Sequence, residues 1–317
     1  MTMKITVILC TYNRCGSLAK ALESVAEQTF SKSVEWEVLV VDNNSRDQTR
    51  EVVEEFNRRR PGRFRYLLEQ RSGKSYALNA GISEARGDIL AFMDDDVTVE
   101  PTWLQNLTAA LDNGEWVGSG GRILPERNFS PPRWLPLTDR YGLAPLAVFD
   151  PGIEAGPLVE SPFGTNMAFQ KNVFEKHGGF RTDLGPHHSG ASPQKSEDSE
   201  FGHRLLAAGE LLRYEPSAVV YHSVPQNRVR KAYFLAWWFD KARSDIRAFG
   251  IPSDAKWRLG GIPLVMFRRL AVWTARWMVT FEPSRRFSCK LKVWGKMGEI
   301  FESRQQLRGA KRPKRRF

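Results

Sequence analysis

At 317 residues, with 41% hydrophobic and 11% aromatic content, the chain can bury a full core and add an appendage to one large α/β domain, which excludes wholesale disorder. Its net charge of +11 is uneven: from Gln226 onward 23 Lys and Arg face 6 Asp and Glu, while the first 225 residues carry −6. Three cysteines without zinc-type spacing (Cys10, Cys15, Cys289) and an N-terminus without a signal-peptide pattern argue against a disulfide scaffold, structural zinc and secretion, and fit a reducing cytosol.

Strand-like runs at Ile5–Cys10, Glu37–Val41, Phe64–Leu68 and Ile89–Met93 alternate with helix-period segments at Ser17–Gln28, Asp47–Arg59 and Ser75–Ala85. Strict alternation predicts right-handed βαβ crossovers and parallel strands, with ligands gathered at the strands' carboxyl ends. The residues there are polar: Thr11-Tyr12-Asn13-Arg14, Asp42-Asn43-Asn44 and Asp94-Asp95-Asp96. From Pro125 to Pro162 a Pro- and Gly-rich connection carries Trp134, Tyr141 and Phe149; it is too apolar for a free linker and reads as irregular structure packed beside the site. Beyond it come a strand at Asn166–Gln170, a helix at Lys171–Lys176, a loop of lid-like composition at Arg181–Ser196, a helix at Asp198–Ala208 and an apolar run Ala218–Tyr221 closed by His222.

Adjacent carboxylates repel, so the Asp94-Asp95-Asp96 triplet after a core strand calls for a cation, and Mg²⁺ or Mn²⁺ shared with a diphosphate would meet that need; a solvated acidic turn is the alternative. Thr11, Tyr12 and Asn13 offer a hydroxyl, a stacking face and an amide, and Asp42 an acceptor for a base or ribose. Asn43, Asn44 and Ser45 serve equally well as a turn and helix cap. Gly73-Lys74-Ser75 is no Walker A loop, because Leu68 stands where its first glycine belongs; Lys74 is open to a phosphate role or to plain solvation. Gly118-Ser119-Gly120-Gly121 lacks the last glycine of a dinucleotide fingerprint. Glu197-Asp198, where the loop meets a helix, is open to simple capping or to general-base work, with Asp198 as base and Glu197 orienting the acceptor. His222 is a candidate for metal or diphosphate as much as for a structural role.

Taken in order, Val7-Ile8-Leu9-Cys10-Thr11-Tyr12-Asn13-Arg14, Val40-Val41-Asp42-Asn43-Asn44-Ser45, Ala77-Leu78-Asn79-Ala80-Gly81-Ile82, Asp94-Asp95-Asp96, Gly164-Thr165-Asn166-Met167-Ala168-Phe169 and Glu197-Asp198 with Arg204-Leu205 resemble family 2 glycosyltransferases of the GT-A fold, over about residues 4–225. The resemblance implies a Rossmann-like mixed sheet flanked by helices and an inverting transfer from a nucleotide-diphosphate sugar to a saccharide or lipid-linked acceptor. It implies that Thr11 and Asp42 bind the nucleotide, that Asp94 and Asp95 contact donor ribose or sugar, that Asp96 ligates the metal, and that Asp198 is the base. Tyr12, Asn13, Arg14, Lys74 and Asn79 complete the expected donor set, and His222 the metal set. The Gln-x-x-Arg-Trp motif of processive members is absent, which favours single addition.

The expected layout is a catalytic domain over 1–225, divided near residue 100 into nucleotide-binding and acceptor halves, and a basic helical extension over 226–317. Within the extension, Ile262–Phe281 is apolar but interrupted by Arg268, Arg269 and Arg276, which fall within about 100° of one another on a helix. That pattern predicts a helix in the headgroup layer of the inner face of the cell membrane, anchored by Trp257, Trp273 and Trp277; packing on the catalytic domain is the alternative. No groove-reading or base-stacking module supports nucleic-acid binding. A sugar-phosphate nucleotidyltransferase would want a Gly-rich triphosphate loop, and Cys10–Gly16 holds one glycine; a non-catalytic membrane protein has no use for acids at three strand ends.

Overall fold

The computed structural model describes residues 3–112, 114–187 and 195–310. Part of the expected lid, 188–194, and the basic tail Lys311–Arg316, expected to be disordered, lie outside the described residues. The chain forms two units, one from the described residues of Met1–Arg127, Ala147–Ala191 and Glu197–Ser223, the other from those of Asn128–Leu146, Ser192–Ser196 and Val224–Phe317.

The first ninety-odd residues run β1 (Lys4–Thr11), α1 (Cys15–Ala26), β2 (Glu35–Asp42), α2 (Thr49–Arg59), β3 (Phe64–Leu68), α3 (Lys74–Glu84) and β4 (Ile89–Asp94). Then come β5 (Val97–Val99), α4 (Trp103–Thr108), β6 (Gly118–Pro125), α5 (Arg140–Leu143), β7 (Gly156–Pro157), β8 (Asn166–Gln170) and α6 (Asn172–His177). They are followed by α7 (Glu197–Ala207), β9 (Leu212–His222), α8 (Lys231–Phe249), β10 (Arg258–Leu259), β11 (Ile262–Pro263), α9 (Leu264–Val279) and α10 (Pro283–Ala310).

In the first unit the sheet has the order β3-β2-β1-β4-β8-β6-β9-β5, with β7 on β9. Strands β3, β2, β1 and β4 are mutually parallel, as the alternation predicts, and β8 turns the sheet mixed by pairing antiparallel with β4. Side chains of β1 alternate between two apolar layers: Ile5, Val7 and Leu9 pack with α1, α2 and Trp103, while Ile8 joins Leu39, Val41 and the α3 and α7 side. Phe92, Phe169, Phe174, Phe180 and Phe201 fill that second layer, with Phe174 and Phe201 stacked at 4.9 Å, and they seat the start of α7 against β4 and β8.

The Gly118–Gly121 run is explained by packing. A Cβ on Gly118 would lie 2.3 Å from the Phe169 ring, and one on Gly121 would lie 2.2 Å from the Ala218 carbonyl. The β6–β9 register jumps between Gly121 and Arg122, and the buried Asn166 amide donates to the Arg122 and Ala218 carbonyls at the irregularity.

The second unit is helical. Trp134 packs edge-on to Phe234 and Phe287, Trp238 donates to the Tyr141 carbonyl at 2.8 Å, and buried Glu302 of α10 accepts from Arg243 and Arg247 of α8. Residues 128–146 belong here, so of the Pro- and Gly-rich connection only 125–127 and the part from 147 on belong with the sheet; the cause is its aromatic content, as Trp134 and Tyr141 pack on the helices. The expectation of tryptophan anchors is corrected for two of three. Trp273 lies under Lys292 at 4.5 Å, and Trp277 meets Trp294 at 6.2 Å with Lys290 over both, because α10 offers cations to their faces; only Trp257, 76% exposed, stands free of such packing. No helix of the described residues is long and apolar enough to cross a membrane.

Candidate active site

Parallel pairing puts Thr11 beside Asp42 and Cys10 beside Asp94, so the carboxyl ends of β1, β2 and β4 form one acidic corner. Asp42 is buried and held from two sides, by the Ser45 N–H at 2.8 Å and the Tyr66 hydroxyl at 2.8 Å. Asn43 closes the neighbouring loop, donating to the Glu69 and Arg71 carbonyls and accepting the Gly73 N–H. At Asn13, φ is +51° and the side chain accepts the Arg46 N–H at 2.7 Å, so this expected ligand ties the first strand-end turn to the second. Tyr12 beside it is half-buried. The N-terminus of α1 is capped from outside by Asp47, which accepts the Cys15 N–H.

Cations of the chain itself reach the triplet, a source of neutralisation that the charge argument from sequence did not include. Lys74, at the head of α3, pairs with Asp94, and Thr165 donates to the other Asp94 oxygen at 2.6 Å. Arg14 Nη1 lies 2.9 Å from Asp95 and 3.0 Å from Asp96, and the Thr11 hydroxyl donates to Asp95 at 2.7 Å. Burial pulls the Lys74 ammonium down, but Asp94, Glu197 and Asp198 outweigh it and hold it above the ordinary value. Burial lifts Asp94 too, yet Lys74 brings it below the usual carboxylate range. Asp95 goes the other way: burial and its acidic neighbours prevail over Arg14, and it is raised to about 6.

Asn79 does not reach this corner with a free amide; it donates to the Phe180 carbonyl and accepts the Phe180 N–H, both at 2.8 Å. With Lys74 N–H on the Pro186 carbonyl and Ser75 on that of Leu184, it straps α3 to the segment before the undescribed loop.

On the other side of the corner, Asp198 accepts from the Gly164 N–H at 2.9 Å and the Ser199 N–H at 2.7 Å, and the Ser161 hydroxyl donates to its carbonyl. Gly164 and Thr165 therefore join Asp198 to Asp94 through consecutive residues. Glu197 is 6% exposed, and burial, with Asp198 beside it, raises its carboxyl to about 7 despite Lys74. His222 ends β9 opposite Val97, with its Nε2 3.5 Å from Asp96 and its buried Nδ1 without a partner.

Asp96 and His222 fit a divalent cation by chemistry: a carboxylate and an imidazole Nε2, both ligand types for such an ion, stand 3.5 Å apart. Among the described residues no three His, Cys, Asp or Glu are grouped to hold a metal, so the remaining ligands would come from the diphosphate. Gly164, Thr165 and Tyr66 escaped residue-by-residue reading; the first two stood within a family-like segment, whereas nothing local marks Tyr66.

A profile for "Glycosyl transferase family 2" matches residues 6–178. The chain belongs to glycosyl transferase family 2. It is 29% identical over 240 residues to succinoglycan biosynthesis protein ExoM of Rhizobium meliloti, covering 74% of this chain and 71% of that one. It is 28% identical over 249 residues to the glucosyl-dolichyl phosphate glucuronosyltransferase of Haloferax volcanii, with 74% and 75% covered. The fold is that of the mannosyltransferase PcManGT from Pyrobaculum calidifontis, solved in complex with GDP-Man and Mn²⁺: TM-score 0.62 at 19% identity, over 98% of this chain and 89% of that one. Staphylococcus aureus TarS 1–349 superposes with a TM-score of 0.54 at 17% identity, over 96% and 92%. As a family 2 member the protein is a glycosyltransferase, which sets aside the nucleotidyltransferase and non-catalytic alternatives.

Proposed function

We propose that this glycosyltransferase moves a sugar, with inversion, from a nucleoside-diphosphate sugar to a hydroxyl of a saccharide or lipid-linked acceptor, in one addition per encounter. The observation that carries the reading is the Gly164-Thr165 link, which couples a half-buried carboxylate, Asp198, to the Asp94 end of the acidic corner. Thr11 and Asp42 hold the nucleoside at neighbouring strand ends, and Lys74 and Arg14 are the cations offered to the diphosphate. The acceptor oxygen attacks C1 opposite the diphosphate and gives its proton to Asp198; the new C–O bond forms as the bond from C1 to the phosphate oxygen breaks. Glu197, protonated to about pH 7, donates or accepts toward the acceptor rather than adding a second charge. Bound Mn²⁺ or Mg²⁺ supplies charge stabilisation of the departing diphosphate, and Asp96 and His222 would hold it. Relatives named for succinoglycan biosynthesis and for glucuronosyl transfer to glucosyl-dolichyl phosphate support a polysaccharide or glycolipid product. Incubation with a panel of nucleotide sugars and Mn²⁺ should release nucleoside diphosphate from one donor class, and Asp96→Ala should lower turnover about a hundredfold with the fold intact. No release from any donor, or full turnover by Asp96→Ala in excess chelator, would overturn the reading.

We further infer that the enzyme sits peripherally on the anionic inner face of the cell membrane. Support comes from the surplus of bases after Gln226 and from α9, whose exposed face carries Leu264, Val272, Met278 and Val279, with Phe281, 85% exposed, just beyond and Arg268, Arg269 and Arg276 exposed along it. The apolar stripe, rather than Trp273 and Trp277, is the surface offered to lipid. Full-length protein should sediment with phosphatidylglycerol vesicles, less so as salt rises, and Met278→Asp with Val279→Asp should release it. Unchanged sedimentation of that variant, or no binding at low salt, would refute the placement.

A further inference from the structure

Arg14 stands at the point where the proposed metal site and the acidic corner meet, and its placement has a cost for any metal. Its Nη1 alone bridges two carboxylates, 2.9 Å from Asp95 Oδ1 and 3.0 Å from Asp96 Oδ2. Asp96 thus has one oxygen on the guanidinium and the other 3.5 Å from His222 Nε2. Asp95 is closed on both sides, by Arg14 and by the Thr11 hydroxyl. With Arg14 in this position, a divalent cation on Asp96 would meet a second positive charge on the same carboxylate, and two like charges that close destabilise each other strongly. Yet Arg14 itself is half exposed, with 45% of its side chain open to solvent, and sits on the turn between β1 and α1 rather than inside an element. It is free to reorient in a way that Lys74, fixed on α3, is not. A guanidinium prefers a phosphate to a carboxylate pair it must share, because the two oxygens of a phosphate match its fork.

We propose that Arg14 is a built-in counter-cation that occupies Asp96 in the free enzyme and yields it when a diphosphate arrives, so that metal and donor are taken up together. The proposal rests on the reading of Asp96 and His222 as metal ligands. It assigns Arg14 two successive partners: the carboxylates of Asp95 and Asp96 before binding, and the donor diphosphate after it. The guanidinium thereby offsets part of the charge on Asp95 and Asp96 in the free site, and a loose divalent ion gains less by entering it alone.

The test is binding of Mn²⁺, followed by the electron paramagnetic resonance signal of the free ion, to the full-length protein with and without UDP or GDP. Wild type should bind Mn²⁺ weakly alone and at least tenfold more tightly with whichever nucleotide it accepts. Arg14→Gln, which keeps a hydrogen-bonding amide but no charge, should bind Mn²⁺ alone about tenfold more tightly than wild type, and nucleotide should add less to it. Arg14→Lys, which keeps the charge but loses the fork, should remain weak alone. Thermal unfolding checks that both variants are folded, and the Lys variant carries the comparison should Gln fail to fold, since it is then required to match wild type without nucleotide. Unchanged or weaker Mn²⁺ binding by Arg14→Gln, or tight Mn²⁺ binding by wild type alone, would overturn the role of Arg14 while leaving the metal site standing. Absence of Mn²⁺ binding by every form, with or without nucleotide, would overturn the metal reading and this proposal with it.

Discussion

Glu197 and Glu302 are both 6% exposed, yet their surroundings shift their carboxyls in opposite directions. Glu302, in the helical unit, takes hydrogen bonds from Arg243 at 3.1 Å and from Arg247 at 2.8 and 3.0 Å; burial lifts its carboxyl, and the two guanidiniums bring it below the usual range. Glu197, in the sheet unit, faces Asp198 and Asp94 with Lys74 as its compensating cation, and its carboxyl rises to about 7. Equal burial therefore says little about the work of an acid. A matched set of donors makes Glu302 a structural bolt, whereas crowding among like charges leaves Glu197 able to exchange a proton near neutrality.

The sharpest test of this contrast is to neutralise one acid in each region. Asp198→Asn keeps an oxygen for the Gly164 N–H, loses the one that accepts from the Ser199 N–H and removes the proton acceptor, so turnover at saturating donor should fall by about 10²–10⁴ while unfolding stability falls by only about 1 kcal/mol. Wild-type turnover would pass the role of base elsewhere. Glu302→Leu should do the reverse in kind, taking the shared carboxylate from two half-buried guanidiniums, of which Arg243 keeps Asp240, and lowering unfolding stability by about 3 kcal/mol in urea titrations. A loss under ~1 kcal/mol would mean the ion pair is solvated in solution.

The pH dependence of stability should separate the two glutamates as well. Glu197 keeps its proton in the folded state to about pH 7 but loses it near the ordinary carboxylate value when unfolded, so its neutral form stabilises the fold below that value and the benefit is lost as pH rises through 7. Between pH 4.5 and 7 stability should decline by something on the order of 2–3 kcal/mol from this group, Asp95 adding the same sign below pH 6, and Glu197→Gln should flatten its share. A variant with the wild-type slope would show that Glu197 ionises normally. Glu302, depressed, has the opposite slope: its contribution is lost only as pH falls below the ordinary carboxylate range. The smallest effect expected is that of Tyr66→Phe, which takes one hydrogen bond from Asp42 and should weaken nucleotide binding by about 1 kcal/mol, near fivefold, in calorimetric titrations. No change in affinity would free Asp42 of its dependence on Tyr66.

Much of the sheet unit was legible because its signals are local. The seven elements from β1 to β4 answer to periodicity alone, and every boundary falls within a few residues of the pattern. The polar strand ends were legible for the same reason, since a parallel sheet brings its carboxyl ends together. What escaped were partnerships between distant residues. Nothing near Asp94 in the chain announces Lys74 or Thr165, and nothing near Asn79 announces the Phe180 backbone. The aromatic residues of the C-terminal part were visible, but which of them would meet Lys290 and Lys292 depended on where α10 lies.

By itself the sequence determined the alternation of strands and helices, the acids at three strand ends, the charge surplus after Gln226 and the ordered segments of a family 2 glycosyltransferase, because each is a property of composition or spacing along the chain. Only the tertiary structure decided which of those acids are neutralised, by whom, and at what charge. Lys74 and Arg14 reach the triplet from the heads of different helices, Gly164 and Thr165 arrive from the turn before β8, and His222 arrives from β9. Electrostatic energies depend on separations of a few ångströms and on burial, and neither is encoded at any single position of the chain.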